Sequence, residues 1–555
     1  IDQSIGVDRI NSSWIASGIS WLAPSITSYA GLAEIIIMLL TDAILLDYKR
    51  CRRRAFLDIY GDPTEQDPPS DFLLKLQQKS RDHKQQILAT VPHHSPRYPR
   101  TDWHAAAQAT LKLMQQGTEY ISGGVLLMPT GDGVTLLCFP DLLVKQPGRS
   151  NFGDWIYVPT TIKLSKRPKP EYKILTAFRA QLLAAVQGQW PTTGSLILRN
   201  QKSYTVVIER WVPLMEQLLS ECIETLLEQQ KPEVFISRQR CSLCCWYHSC
   251  YAIAKSVEHI SLLPGVTPSR YQDLKALGVT TIESLATSTI SELEPSFGSS
   301  VAFQLVQQAQ SQVQNRVLLY PKHYFSILEY EQLERGNGKA KISADFPNQD
   351  SLPTASVELY FDIEAQPDLP LEYLLGVLVI DRRTETETFH NLFAEHSWQE
   401  GFIWLQFLDL VERYPDAPIF HFSKYEVDTV KRLATLYQTP RHIVRPLLDR
   451  FVDVHQIVID TVTMPVESYS LKNLARCLGF EWRDPDMTGS QSVCLYDQWL
   501  KTGNHSILEM IQRYNEDDCR ATYHLKEWLV NFLCNTLPNT LPNTLPNTIN
   551  FQNLA

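Results

Sequence analysis

The stretch Val357-Glu358-Leu359-Tyr360-Phe361-Asp362-Ile363-Glu364-Ala365 places the strongest constraint on this chain. It is β-branched, aromatic and apolar, with Pro353 upstream and Gln366-Pro367 downstream, a pattern that predicts a β-strand. Side chains alternate across a strand, so Asp362 and Glu364 share one face. Two carboxylates on an otherwise apolar face are costly to bury unless something positive lies between them. Hard divalent cations, Mg²⁺ or Mn²⁺, meet that need: they take oxygen ligands and keep waters that substrate phosphates can replace.

Two further segments offer carboxylates. Ile507 to Leu529 has helical periodicity without Gly or Pro, and within it Tyr514 and Asp518 stand four apart, on one helix face. Only Asp518 has that spacing, so Glu516 and Asp517 are expected to face solvent. Ala417 to Phe422 reads as a strand running into a helix, with Ser423 as the expected N-cap and Glu426 in the first turn. Asp428, two residues on, is the fallback acid and faces another way.

These residues, in this order, resemble the DEDD-type 3′–5′ exonucleases of the ribonuclease-H-like superfamily, in the subgroup with a catalytic tyrosine. Tyr360 to Glu364, His421 to Glu426, Tyr469-Ser470-Leu471-Lys472 and Tyr514 to Cys519 resemble most closely the YprB-type domain. The resemblance implies that Asp362, Glu364, Glu426 and Asp518 hold two metals and that Tyr514 orients the attacking water. Lys472, at the start of a helix, is placed to meet phosphate. Glu426 stands where the wider superfamily has Asp, a substitution the YprB-type branch tolerates.

The N-terminal half reads as α/β. A basic helix is expected over Asp47 to Phe56, carrying Cys51, and a long helix over Phe72 to Ala89, carrying His83. Strands are expected over Gly123–Met128 and Thr135–Cys138 around a Gly131-Asp132-Gly133 turn, the second running on to Asp141-Leu142-Leu143. A strand over Trp155–Leu164, a helix over Glu171–Val186, a strand over Ser195–Leu198 and a helix over Leu214–Gln230 follow. This block resembles the RecB-like PD-(D/E)xK nucleases, including the CRISPR-associated exonucleases that carry an iron–sulfur cluster. The resemblance makes His83 and Asp141 metal ligands and Lys163 the catalytic lysine. The middle acid of the motif is Thr161 here, a poor ligand for Mg²⁺. Leu175 and Arg179 replace the Gln and Tyr that the family offers from the next helix. This site is therefore expected to be impaired, with the fold retained.

Eleven cysteines in 555 residues are no small disulfide scaffold, and their clustering at 241–250 points to metal ligation in a reducing compartment, expected to be the cytoplasm. In the resemblance, Cys241, Cys244, Cys250 and the distant Cys51 clamp a [4Fe–4S] cluster, with zinc the alternative. Cys245 is extra.

Ile260 to Arg270 and Leu274 to Ile282 resemble a helix-hairpin-helix element, with Pro264-Gly265 at the hairpin. Backbone N–H groups at Gly265 can hold a DNA phosphate without reading bases. The alternative is a structural hairpin, since Thr267 replaces the second glycine of that motif.

The expected layout is a doubtful extension over 1–37, a RecB-like domain over 38–255, the helix-hairpin-helix region over 256–320, a linker over 321–353, the ribonuclease-H-like domain over 354–531 and a disordered Asn-Thr-Leu-Pro tail over 532–555. The apolar run Ile35 to Leu40 is too short to span a bilayer, so no membrane partner is expected. A net charge of −10 has the wrong sign for coating nucleic acid but suits an enzyme with clustered metal-binding acids. No Gly-rich phosphate loop or Ser/His/Asp pattern is present, which argues against a motor ATPase or a triad hydrolase. The expected activity is 3′–5′ trimming of DNA or RNA, on single strands or 3′ ends, in the C-terminal domain. The rivals are a non-catalytic nucleic-acid-binding scaffold and chemistry in the RecB-like module.

Overall fold

The computed structural model describes residues 38–130, 133–320, 352–367 and 371–536. The expectations for 1–37, for Gly131 and Asp132, for 321–351 and for 537–555 lie outside those residues. The chain divides into two compact units, Ile1–Ile253 and Ala254–Ala555.

The first unit holds two sheets. One is three-stranded, with Val134–Cys138 between Met38–Thr41 and Leu126–Pro129. The other has five strands in the order Tyr120–Ser122, Leu142–Ser150, Gly153–Ile162, Thr193–Ile197, Ser203–Val207. The pair Gly153–Ile162 and Thr193–Ile197 is parallel, and the helix Pro170–Gln187 makes the crossover. That helix starts with Pro at its first turn, ends at left-handed Gly188, and buries twelve of its residues. Ile174, Phe178 and Leu182 carry the core together with Tyr48, Tyr157 and Trp246.

The expected helix over Asp47 to Phe56 is two helices, Asp42–Arg50 and Arg52–Tyr60. The break is Cys51, whose extended backbone lets its Sγ cap the second helix by accepting from Arg54 N at 3.4 Å. The expected run from Cys138 on to Leu143 also breaks, at Phe139–Asp141, because the strand before and the strand after belong to different sheets.

In the second unit, five strands run in the order Thr386–Phe393, Leu371–Asp381, Val357–Gln366, Ile419–His421, Phe451–Asp453. The first three are antiparallel and the last two join parallel. Leu371 to Ile380 are all buried, as an interior strand of a sheet covered on both faces requires. One face packs on the helix Glu400–Glu412 through Ile403, Trp404 and Phe407. The other packs on the 32-residue helix His505–Thr536, which runs five residues into the segment expected to be disordered tail.

The helical segment before this domain opens with a 3₁₀ turn, Ile260–Leu262, where the resemblance implies an α-helix, followed by the helix Pro268–Ala276. The later helix Ser299–Gln314 docks by side-chain amides: Gln308 donates to Met464 O at 2.8 Å and Gln307 to Leu319 O at 2.6 Å. Among the described residues no helix is long and apolar enough to cross a membrane.

Candidate metal centre and a neutralised acid site

Asp362 and Glu364 project from Val357–Gln366, and Asp518 from the last helix; one carboxylate oxygen of each lies within 4.8 Å of the others. Among the described residues this is the one group of three or more His, Cys, Asp or Glu side chains so closely spaced, and no Lys or Arg forms an ion pair with any of the three. Burial, then the neighbouring charges of Asp518, Glu364 and Glu426, push Asp362 well above the ordinary carboxylate range. Burial, then Asp518, raises Glu364 to about 8, and burial raises Asp518 to about 7. Three carboxylates held together without an ion pair, with the charge of Lys472 reaching only Asp518, form a donor set that fits hard divalent cations.

Neutral donors hold these carboxylates. Asn515 Nδ2 donates to Asp362 Oδ2 at 2.6 Å, and Trp482 Nε1 to Asp518 Oδ1 at 2.8 Å. The Tyr373 hydroxyl lies 2.7 Å from Ser492 Oγ and donates to Glu364 Oε2 at 3.4 Å. Tyr514 is buried, and burial followed by the charges of Asp518, Glu364 and Asp362 drives its hydroxyl far up, so it stays protonated. Trp482, Tyr373 and Ser492 carry no motif or spacing signal, and Asn515 lies within the Tyr514 to Cys519 motif without a role assigned by it; the contacts that give all four a role are tertiary.

Glu426 is not in the three-membered group, but its charge reaches Asp362. It is 4% exposed, and its Oε2 has no hydrogen-bond partner, with His421 Nδ1 beyond hydrogen-bond range at 3.6 Å. Asp428 is exposed. Ser423 is not the N-cap: its φ of 93° is left-handed, its N–H donates to Asp453 Oδ1 and its carbonyl accepts from His421 Nδ1, so the helix begins at Tyr425 after Lys424. Glu426 is in the first turn all the same. Lys472 donates to the Met487 carbonyl and lies 5.5 Å from the Trp482 ring centroid. Glu516 and Asp517 do not face solvent freely. Asp517 is buried, and Arg483 binds it from Nε at 2.8 Å and Glu516 from Nη2 at 2.8 Å.

The acids of the first unit are arranged otherwise. Asp141 is buried, with Oδ1 at 2.8 Å from Lys84 Nζ and Oδ2 accepting from Arg179 Nη1 at 2.9 Å and from Ile162 N at 3.0 Å. Arg179 also donates from Nε and Nη2 to Asp42 Oδ2, at 2.9 and 2.8 Å, and from Nη1 to Thr161 Oγ1 at 3.1 Å. Although burial opposes it, Lys84, Arg179 and Lys163 together hold the Asp141 carboxyl far below the usual range. Lys163 is depressed by burial, and its Nζ lies 6.0 Å from the Tyr172 ring centroid. His83 is buried with Nε2 unpartnered.

Cys51, Cys241, Cys244 and Cys250 lie near enough to perturb one another electrostatically. Besides the Arg54 amide on Cys51, the Ser237 N–H donates to Cys241 Sγ at 3.3 Å. A hydrogen bond with Cys245 brings Cys244 down to about 7, while burial raises the other three, Cys241 to about 11. Gly265 takes φ of 86° at the hairpin, and Arg270 Nη1 donates to its carbonyl at 2.8 Å.

A family profile of the RNase H superfamily, RNase_H_2, matches residues 359–530. The C-terminal domain is thus RNase H-like, of a superfamily whose members are typically nucleases acting with divalent metals on nucleic acid. No curated protein matches the chain.

Proposed function

We propose that the RNase H-like domain is a metal-dependent 3′–5′ exonuclease acting on DNA or RNA. The observation that carries the reading is the trio Asp362, Glu364 and Asp518, drawn close together with Glu364 buried and the other two half-buried, and with no ion pair to a cationic side chain. Glu426, with its orphaned buried oxygen, is the fourth ligand. Bound there, a pair of Mg²⁺ or Mn²⁺ ions would supply an activated water and stabilise the leaving 3′ oxygen. Tyr514, protonated and close to Asp518, donates its one hydroxyl proton to the attacking water and orients it. Asn515, Trp482 and Tyr373 keep the carboxylates aimed inward. Lys472, with protons beyond the one given to Met487, meets phosphate.

The first unit takes a different part. Arg179 and Lys84 supply to Asp141 the positive charge that a metal would supply, and Thr161 offers a hydroxyl to Arg179 in place of an acid. This favours a RecB-like module that binds nucleic acid without cutting it. The four thiols fit a structural [4Fe–4S] cluster. Among the described residues no three thiols share the 4.8 Å spacing of the carboxylates. A single zinc at about 2.3 Å from each sulfur would draw them to within about 4 Å of one another, whereas a cluster holds its thiolates farther apart.

The test is degradation of 3′- and 5′-end-labelled single-stranded DNA and RNA with Mn²⁺ by the natural chain, Asp362→Ala and Lys163→Ala. Trimming from the 3′ end that is lost in Asp362→Ala and kept in Lys163→Ala is expected. The opposite pattern would move the chemistry to the first unit. Inactivity of all three with binding retained would leave a scaffold.

A further inference from the structure

We propose that Asn515 is a positioning residue for the Asp362 carboxylate, and that position 376 is glycine in order to admit it; the inference rests on the metal-site reading above. Asn515 lies on the last helix, next to Tyr514, and is fully buried. Its Nδ2 makes the one side-chain hydrogen bond to Asp362 among the described residues, at 2.6 Å on Oδ2, and Oδ1 is left for a ligand. Fixing one oxygen of a carboxylate sets the direction of the other.

The neighbouring strand is shaped around this amide. Asp362 pairs with Gly376 across the antiparallel ladder. A Cβ built on Gly376 would lie 1.7 Å from Asn515 Oδ1 and 2.8 Å from its Cγ. Glycine inside a strand weakens the strand, and Gly376 does not have the positive φ that would call for it in a turn. What it gives is space, and Asn515 fills it. The fit has a cost: Asn515 Oδ1 is buried with no hydrogen-bond partner, a penalty that an apolar side chain would avoid. The amide is suited to this place for an electrostatic reason. It holds a carboxylate without bringing a full positive charge. Arg179, which does bring one, occupies Asp141 as a metal would.

The experiment measures Mn²⁺ binding to the full chain by the paramagnetic resonance of free Mn²⁺, so no substrate or turnover is needed. Asn515→Ala, with an unchanged circular dichroism spectrum, is expected to bind Mn²⁺ about 10- to 100-fold more weakly than the natural chain. Gly376→Ala is expected to weaken binding similarly by displacing the amide. The double variant is expected to bind no more weakly than Asn515→Ala, because the colliding atoms are gone. Binding by Asn515→Ala within twofold of the natural chain overturns the positioning role, and this comparison decides alone if Gly376→Ala does not fold. Full additivity in the double variant overturns the link to Gly376. A natural chain that binds no Mn²⁺ overturns the metal-site reading and this inference with it.

Discussion

Arg179 Nη1 donates to Asp141 Oδ2 at 2.9 Å, and nothing of the kind reaches Asp362. The two acid sites differ in this contact more than in their acids. Asp141 and Asp42 share a buried guanidinium, so the first unit completes its own charge balance. Breaking such a network by removing one partner leaves uncompensated buried charge, which costs about 3–5 kcal/mol. Arg179→Met is therefore expected to lower stability by about that amount in urea denaturation of the first unit, without changing Mn²⁺-dependent trimming. A shift under about 1 kcal/mol would show that water or ions, rather than Arg179, compensate these acids.

The same contrast predicts opposite pH behaviour. Asp362, Glu364 and Asp518 have carboxyl pKa values raised by burial, Glu364 to about 8 and Asp518 to about 7. Between the unfolded values, near 4, and these raised ones, the folded chain holds more protons than the unfolded chain. Metal-free stability of the second unit is then expected to fall as pH rises from about 4 toward 8. Asp141 runs the other way: its pKa is depressed, so its contribution is present above about 4 and is lost only in strong acid, as pH falls through the folded value. Thermal unfolding followed across pH 4 to 8, with chelator and with Mn²⁺, checks this. The slope in chelator is expected to flatten with Mn²⁺, and a slope unaffected by metal would contradict the assignment of these three acids as ligands.

Much of this was legible locally, because the relevant patterns are short. The strand Val357–Gln366, the helix carrying Tyr514 and Asp518, and the first-turn place of Glu426 follow from alternation, four-residue spacing and a strand-to-helix junction. What escaped is what depends on partners far away in sequence. Ser423 resembles a cap by type, yet Asp453 and His421 hold its backbone out of the role. Asp517 has the composition of a surface residue and is buried because Arg483 reaches it. Arg179 reads as a lost family residue, and its meaning appears only when Asp42, Asp141 and Thr161 surround it.

Tyr514 supports a prediction that separates orientation from metal binding. Its hydroxyl is kept protonated by burial and by the acids around it. Tyr514→Phe removes the hydroxyl and keeps the ring. It is expected to lower kcat for trimming by about 10²-fold or more, while KM and Mn²⁺ affinity stay near natural values. A rise in KM with kcat preserved would instead make Tyr514 a substrate-binding residue.

The thiols give the last prediction. Cys51 begins one helix and accepts from Arg54 N, and Cys241 accepts from Ser237 N. Amides aimed at sulfur favour thiolate, the form that ligates metal. Among the described residues no disulfide is formed, which leaves these four thiols available. Protein purified without oxygen is expected to be brown, with about four irons per chain and absorbance that bleaches with dithionite. Cys244→Ser is expected to lose the iron and to unfold the first unit more readily, since the ligands tie Cys51 to a segment about 190 residues away. Mn²⁺-dependent trimming by the second unit is expected to be kept. Stoichiometric zinc with no iron would replace the cluster by a zinc site. Neither metal, with Cys244→Ser as stable as the natural chain, would reduce the four thiols to packing.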